Sequence, residues 1–288
     1  MSIQLGLRLV ARLTLTVLVA GLLGASLVRY APGFGVDEQE LDSRLNSASV
    51  QALRASHSSE RNILSFYAQY LVRVGHGDLG TSRSLGQPVS ELFRQRFPYT
   101  LRSVSMGLLG GWLLGFGLAL PGALSRHWAY DVFSTLLSGL FLCLPAAVLA
   151  LFFMYFGGAP AWAISLIIFP RIFRFSRNLI VETYSQPHIV CAKARGLGSI
   201  RLLISHVLRP AAPQLLALAG VSVSMAVGSS IPVEVVCDSP GLGQLAWQAA
   251  LGRDLPLLVN ITLLIAVFTL IANSFSDFFR GALSPRST

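Results

Sequence analysis

The chain has 288 residues, 53% of them hydrophobic and only 12% charged, and its mean hydropathy is +0.63. Soluble globular domains carry roughly a quarter charged residues, so this composition excludes one and describes a polytopic membrane protein, which its helical spans make all-α. The formal charge of +9 comes from arginine, Lys193 being the one lysine; in so apolar a chain it argues against nucleic acid and for basic loops held on the cytoplasmic side of a lipid membrane.

A membrane-spanning helix needs about 20 mainly apolar residues. On that measure the sequence predicts six, at 9–31, 100–124, 132–156, 161–181, 211–236 and 257–278. Arg8 and Arg12 precede the first apolar run, which reads either as a retained span or as a signal peptide. Its length exceeds the usual apolar region of about 7–15 residues and favours the span. The segment 32–98 mixes Asp37, Glu38, Glu40, Asp42, Glu60, Asp78 and Glu91 with arginines and lacks a basic excess, so it belongs on the outer side of the membrane. Within it, Ile63, Phe66, Tyr67, Tyr70, Leu71 and Val74 recur at helical steps and predict an amphipathic helix ended by Gly75 and Gly77.

The second span carries Gly107, Gly111 and Gly115 at GxxxG spacing, which favours close helix packing and would suit a partner subunit, although many spans have such spacing by chance. Pro145 in the third span and Pro232 in the fifth remove backbone hydrogen bonds; such kinks serve structure alone or gate a path. Arg171, Arg174 and Arg177 near the end of the fourth span fit a helix emerging among cytoplasmic headgroups. Cysteines 143, 191 and 237 lie far apart with no CxxC spacing, so neither a disulfide framework nor a zinc site is expected. The basic loops all fall on one side if both termini are cytoplasmic.

Between the fourth and fifth spans lies "QPHIVCAKARGLGSIRLLISHVLRP", 186–210. Pro187 suits a helix start and Gly196 a left-handed stop. Ser199 can cap a second short helix running to about Leu208, with Pro210 opening the next span. Ile189, Val190 and Ala192 form an apolar strip beside Lys193 and Arg195, with small Ala192 and Ala194 allowing close approach. The segment reads either as a docking site or as an amphipathic loop resting on headgroups.

The stretch "ETYSQPHIVCAKARGLGSIRLLISHVLR" resembles the EAA loop of ABC importer permeases, in the form carried by the dipeptide, oligopeptide and nickel permeases. Glu182, Gln186, Ala192, Ala194, Gly196, Leu197, His206, Leu208 and Arg209 match that pattern, whereas Thr183, Pro187 and His188 depart from it. "VRYAPG" (28–33), "GDLGTSRSLGQPVSELFRQRFPYTL" (77–101), "LCLPA" (142–146), "VEVVCDSPGLGQL" (233–245) and "GRDLPLL" (252–258) are similar to further family stretches in the expected order. "FGGAPAW", by contrast, is much shorter than the family's usual loop between the third and fourth spans.

The resemblance implies a type I ABC permease fold. It comprises a first span to residue 31, an extracytoplasmic helical insertion at 32–98, a membrane core at 99–281 and a cytoplasmic tail at 282–288. It also implies a multi-pass location in a bacterial inner membrane, a second homologous permease, ATP-binding cassette ATPase subunits and an extracytoplasmic solute-binding protein. In such systems the loop at 182–209 docks on the ATPase, with Glu182 the acidic position, Gly196 the hinge, Leu197 beside it, and Ala192, Lys193, Ala194 and Arg195 the contact face. Pro145, Glu234, Pro240 and Gly241 are the gate or pathway candidates. Peptides are the expected solute, with nickel or another small solute the alternative.

The chemistry of the residues agrees with a division of labour. A P-loop needs Gly-Lys-Ser or Gly-Lys-Thr to cradle phosphates, and Lys193 stands between two alanines. ATP and Mg must therefore be bound by another polypeptide, this chain being no enzyme and holding no cofactor of its own. An ion-coupled carrier would need carboxylates deep in the membrane, and Glu234 is the single candidate, with a paired or hydrated helix-end residue as the plainer reading. An intramembrane enzyme lacks support, for no HExxH, GxSxG or paired acidic cluster occurs in the spans.

Overall fold

The computed structural model describes residues 15, 19, 72–74, 76–125 and 127–283, with side chains described as far as 276. The predicted first span apart from Leu15 and Val19, the loop and most of the amphipathic helix before residue 72, and the tail beyond 283 lie outside the described residues.

The helices are α1 (Val89–Ser125), α2 (Trp128–Cys143), α3 (Ala146–Tyr155), α4 (Pro160–Tyr184), α5 (Pro187–Ala194) and α6 (Ser199–Leu202), then a π-helical turn (Leu203–Leu208), α7 (Arg209–Val236), α8 (Leu242–Leu251) and α9 (Leu255–Leu283). Among the described residues three helical stretches are long and apolar enough to cross a membrane: Val89–Leu124, Ser199–Val236 and Leu255–Ser276. A fourth is reached if α2 and α3, bent by 95° at their junction, count as one. The protein is thus all-helical with three to four such spans described, where the sequence predicts six. Helix α4 has the length, but Arg171, Arg174 and Arg177 break its apolar run.

Boundaries moved where hydropathy is a poor guide. Helix α1 starts at Val89, not at residue 100, because its polar first turns bury Val89 and Leu92 and the helix runs through Pro98. The third span is broken rather than kinked: Leu144 and Pro145 are extended, and Pro145 precedes the first residue of α3. Pro232, by contrast, sits inside α7 without interrupting it.

The chain divides into two compact units. The first, Met1–Arg96 with Leu245–Phe268 and described only in part, is organised around Asp254. This buried carboxylate accepts the Ser82 hydroxyl at 2.6 Å and the Ser84 backbone and hydroxyl at 3.0 Å. Its other oxygen accepts the Leu257 N–H at 3.1 Å, which makes Asp254 the N-cap of α9. Asn260 adds a bond to the Leu79 carbonyl at 3.0 Å.

The second unit, Phe97–Gln244 with Thr269–Thr288, is centred on α4, which buries Ile164, Ile168, Phe169, Ile172 and Phe173. The glycines of α1 meet this helix. A Cβ on Gly107 would lie 2.6 Å from Ile164 Cγ2, and one on Gly115 would lie 2.8 Å from Ile172 Cγ2. At Gly111 it would collide with Ile168. The GxxxG face therefore packs within the chain, against α4, rather than against a partner subunit. Helix α2 is built for lipid on its other side: it buries Ser134 and Ser138, whose hydroxyls donate to backbone carbonyls, and exposes Phe133, Leu136 and Leu140. Polar inside and apolar outside reverses the pattern of a water-solvated helix, as expected where hydrocarbon is the solvent.

Candidate functional site

The loop at 182–209 begins where α4 ends. Tyr184 is the last helical residue, Ser185 follows as its cap, and Gln186 caps α5 with Pro187 at its first position. After eight residues Arg195 closes α5, and Gly196 takes the left-handed conformation at φ +76°, its N–H donating to the Lys193 carbonyl at 2.9 Å. Among the described residues, its chain neighbours aside, nothing lies within 4 Å of where a Gly196 Cβ would stand, so backbone conformation selects glycine there.

The second half departs from the expected short helix. Gly198, not Ser199, is the capping residue, and the helix does not stop near Leu208. It continues through the π-helical turn into α7, giving one helix from Ser199 to Val236. The reason lies at Pro210, which has no N–H for the carbonyl four residues back and whose ring crowds it. That carbonyl belongs to His206, in the π-helical turn that eases the crowding, and the His188 ring donates its Nε2–H to it at 3.1 Å. A side chain of α5 thus supplies the bond that Pro210 withholds.

Of the predicted contact residues, Lys193, Ala194, Arg195 and Gly196 are exposed, as is Glu182 on the last turn of α4. Ala192 is a correction: it is buried with Ile180, Ile189, Leu202 and Val207, and Leu197 packs on the same cluster. Only Val190 of the apolar strip faces outward, because in a helix of eight residues Ile189 and Ala192, three apart, share one face. The Lys193 ammonium stands 5.7 Å from the centre of the Tyr184 ring, within cation–π reach.

The gate or pathway candidates split into two places. Pro145 marks the α2–α3 break. Glu234 is fully buried near the end of α7 and accepts the Gly243 N–H at 2.7 Å and the Ser103 hydroxyl at 3.4 Å. The Thr100 hydroxyl also bonds it while accepting the Leu242 N–H at 2.7 Å. Two orphan N–H groups at the start of α8 are satisfied in this way. Gly241 lies against the carboxylate so closely that any Cβ there would collide with it, whereas Pro240 is exposed. The turn into this loop carries Asp238 at φ +49°, with Ser239 N–H donating to the Glu234 carbonyl, a Schellman closure with aspartate in glycine's usual place. Sequence reading missed Thr100 and Ser103: they are ordinary hydroxyls on an apolar helix, separated from Glu234 by more than a hundred residues.

Arg177, expected among headgroups, instead pairs with Asp131 in the first turn of α2, with Nε 2.7 Å from Oδ1. Arg171 and Arg174 remain exposed on α4.

Long apolar helices with lipid-type outer faces and a two-part basic segment at 182–209 are those of a membrane-embedded helical protein. The chain belongs to the family described as binding-protein-dependent transport system inner membrane component, whose model matches residues 107–288. It is 26% identical to the oligopeptide transport system permease protein OppB of Haemophilus influenzae, over 90% of this chain and 91% of that one. It is also 26% identical to a Brucella suis biovar 1 protein provisionally named a peptide permease, over 98% of this chain and 96% of that one. A chain of the inward-facing MetNI methionine ABC transporter shares its fold, with a TM-score of 0.58 and 19% identity over 67% of this chain and 98% of that one.

The protein is therefore a multi-pass inner-membrane permease subunit of a binding-protein-dependent ABC importer. It is non-catalytic: ATP is used by partner ATPase subunits, and a binding protein serves the same system.

Proposed function

We propose that this permease imports di- or oligopeptides and pairs with a second, homologous permease, each with six spans and cytoplasmic termini, around a shared path. Support for the solute comes from the relatives, whose names state peptide transport. Support for the coupling role comes from one observation: the exposed run Lys193–Ala194–Arg195 ends on left-handed Gly196 and leads directly into the helix Ser199–Val236. At 1.5 Å per residue that helix is about 57 Å long. A displacement imposed on α5 by the closing ATPase passes to it through the His188–His206 bond and the buried cluster around Ala192. Glu182 and Arg195 give the docking surface charge of both signs, and the π-helical turn is the place where the lever can flex.

The test is solute-stimulated ATP hydrolysis by the complete importer carrying Gly196→Val. A β-branched residue resists the left-handed conformation, by about 1–2 kcal/mol or more. Stimulation should fall several-fold while membrane insertion and subunit assembly are unchanged. Full stimulation in the variant would remove Gly196 from the coupling mechanism, and lack of peptide stimulation in the wild type would remove peptides as the solute.

A further inference from the structure

Helices in this bundle expose apolar side chains: Met106, Leu109 and Leu113 on α1, and Phe133, Leu136 and Leu140 on α2. Helix α4 does the reverse along one line. Arg171, Arg174, Asn178 and Glu182 are exposed at steps of three and four residues, with Phe175 and Val181 the apolar side chains exposed among them, while Ile172, Phe173, Ser176, Leu179 and Ile180 are buried. Such a stripe faces water or another polar surface, because a guanidinium is not left against hydrocarbon at depth.

Depth is what separates Arg171 from an ordinary headgroup arginine. From Arg171 to Tyr184 the helix runs about 20 Å, and from Pro160 to Arg171 about 16 Å, which puts the residue midway along α4. One turn further from the loop the helix turns apolar, with Ile167 half-buried and Ile168 buried. Among the described residues no carboxylate lies within ion-pair distance of Arg171 or Arg174; Arg171 Nη1 meets only the thioether of Met225, on α7, at 3.4 Å. By contrast Arg177, one turn nearer the loop, has its partner in Asp131.

We infer that the stripe Arg171–Arg174–Asn178 lines the water-filled transport path, and that Arg171, at its closed end, pairs with a carboxylate of the passing solute. A planar guanidinium matches a carboxylate through two parallel hydrogen bonds, a geometry that ammonium lacks. Arg174 lies one turn away and adds positive potential without competing for the same oxygen pair. The inference rests on the chain being a permease, not on the solute being a peptide.

Two readouts test it on the assembled importer in membrane vesicles, with Cys143, Cys191 and Cys237 replaced by serine. Arg171→Cys should react with charged, membrane-impermeant methanethiosulfonates, and the anionic sulfonatoethyl reagent should outpace the cationic aminoethyl reagent several-fold relative to free thiol, since Arg174 remains. Leu113→Cys, on the apolar face of α1, should stay unmodified. No reaction at position 171, as when lipid or an acid of the second permease covers it, or no preference for the anionic reagent, would overturn the assignment. In reconstituted importer, Arg171→Gln should cut uptake of a tripeptide with a free C-terminal carboxylate at least about tenfold. The C-amidated tripeptide should be unaffected, and Arg171→Lys should recover part of the loss. Equal losses for both tripeptides would also refute the pairing. If the wild type imports neither, the peptide proposal fails and the reagent ratio alone decides the role of Arg171.

Discussion

Glu234 shows how surroundings assign a role that composition leaves open. As the one candidate for a carboxylate deep in a span it invites a proton-coupling role, yet its oxygens face the Gly243 N–H and the hydroxyls of Ser103 and Thr100, and Gly241 is pressed against it. It is a buried acceptor that fixes the start of α8. Glu234→Ala should strand these donors and destabilise the protein by about 2–3 kcal/mol. Glu234→Gln, which keeps an acceptor for Gly243, should cost less. Thermal unfolding in detergent should rank wild type above Gln and Gln above Ala; equal midpoints would mean that water replaces the carboxylate. Gly196 was legible beforehand, since a glycine following a basic helical turn signals a left-handed stop. The inward face of Ala192 was not, because which side of an eight-residue helix is covered depends on Ile180, Leu202 and Val207 arriving from other elements.

Among elements, the tightest fit is between α1 and α4. Three glycines one helical turn apart receive Ile164, Ile168 and Ile172, so the two backbones approach without side chains between them. Gly111→Ile should overpack this seam, with a penalty of about 1–3 kcal/mol, and combining it with Ile168→Ala should recover most of the loss because the new side chain then fills the vacated volume. Folded yield and unfolding temperature of the two single variants and the double would measure that coupling; additive losses would place the seam elsewhere. The spacing of these glycines was plain in the sequence, but its partner was not, since a small-residue stripe fits any closely approaching helix. The α2–α3 break and the unbroken helix Ser199–Val236 show the same limit from the backbone side. Pro145 ends one element and starts another, whereas Pro210 is absorbed by a π-helical turn with help from His188.

For the whole molecule, the proposed topology follows from where the basic residues lie. Arg126, Lys193, Arg195, Arg201 and Arg209 fall in or beside loops expected on one side, and the proposed topology places both termini there with them. A reporter that is active only in the cytoplasm, fused after Thr288, should be active, and the same reporter inserted near residue 60 should be silent. Activity at residue 60 or silence after Thr288 would reverse or break the six-span arrangement. Asp254 ties segment 82–84 to the start of α9 within the first unit, a contact across some 170 residues that no local pattern announces.

The sequence by itself determined that this is a helical membrane protein, that it cannot carry a P-loop, and where the loop at 182–209 lies. Those properties reside in composition, apolar run length and local helix punctuation, all of which act over one or two turns of chain. Tertiary structure alone decided that the α1 glycines face α4, that Glu234 is clasped rather than free, that Arg177 has an acidic partner while Arg171 has none among the described residues, and that the loop joins α7 as one continuous helix. Each of these depends on which distant side chain supplies a missing hydrogen bond, a charge or a filled volume, and that is set only when the helices pack.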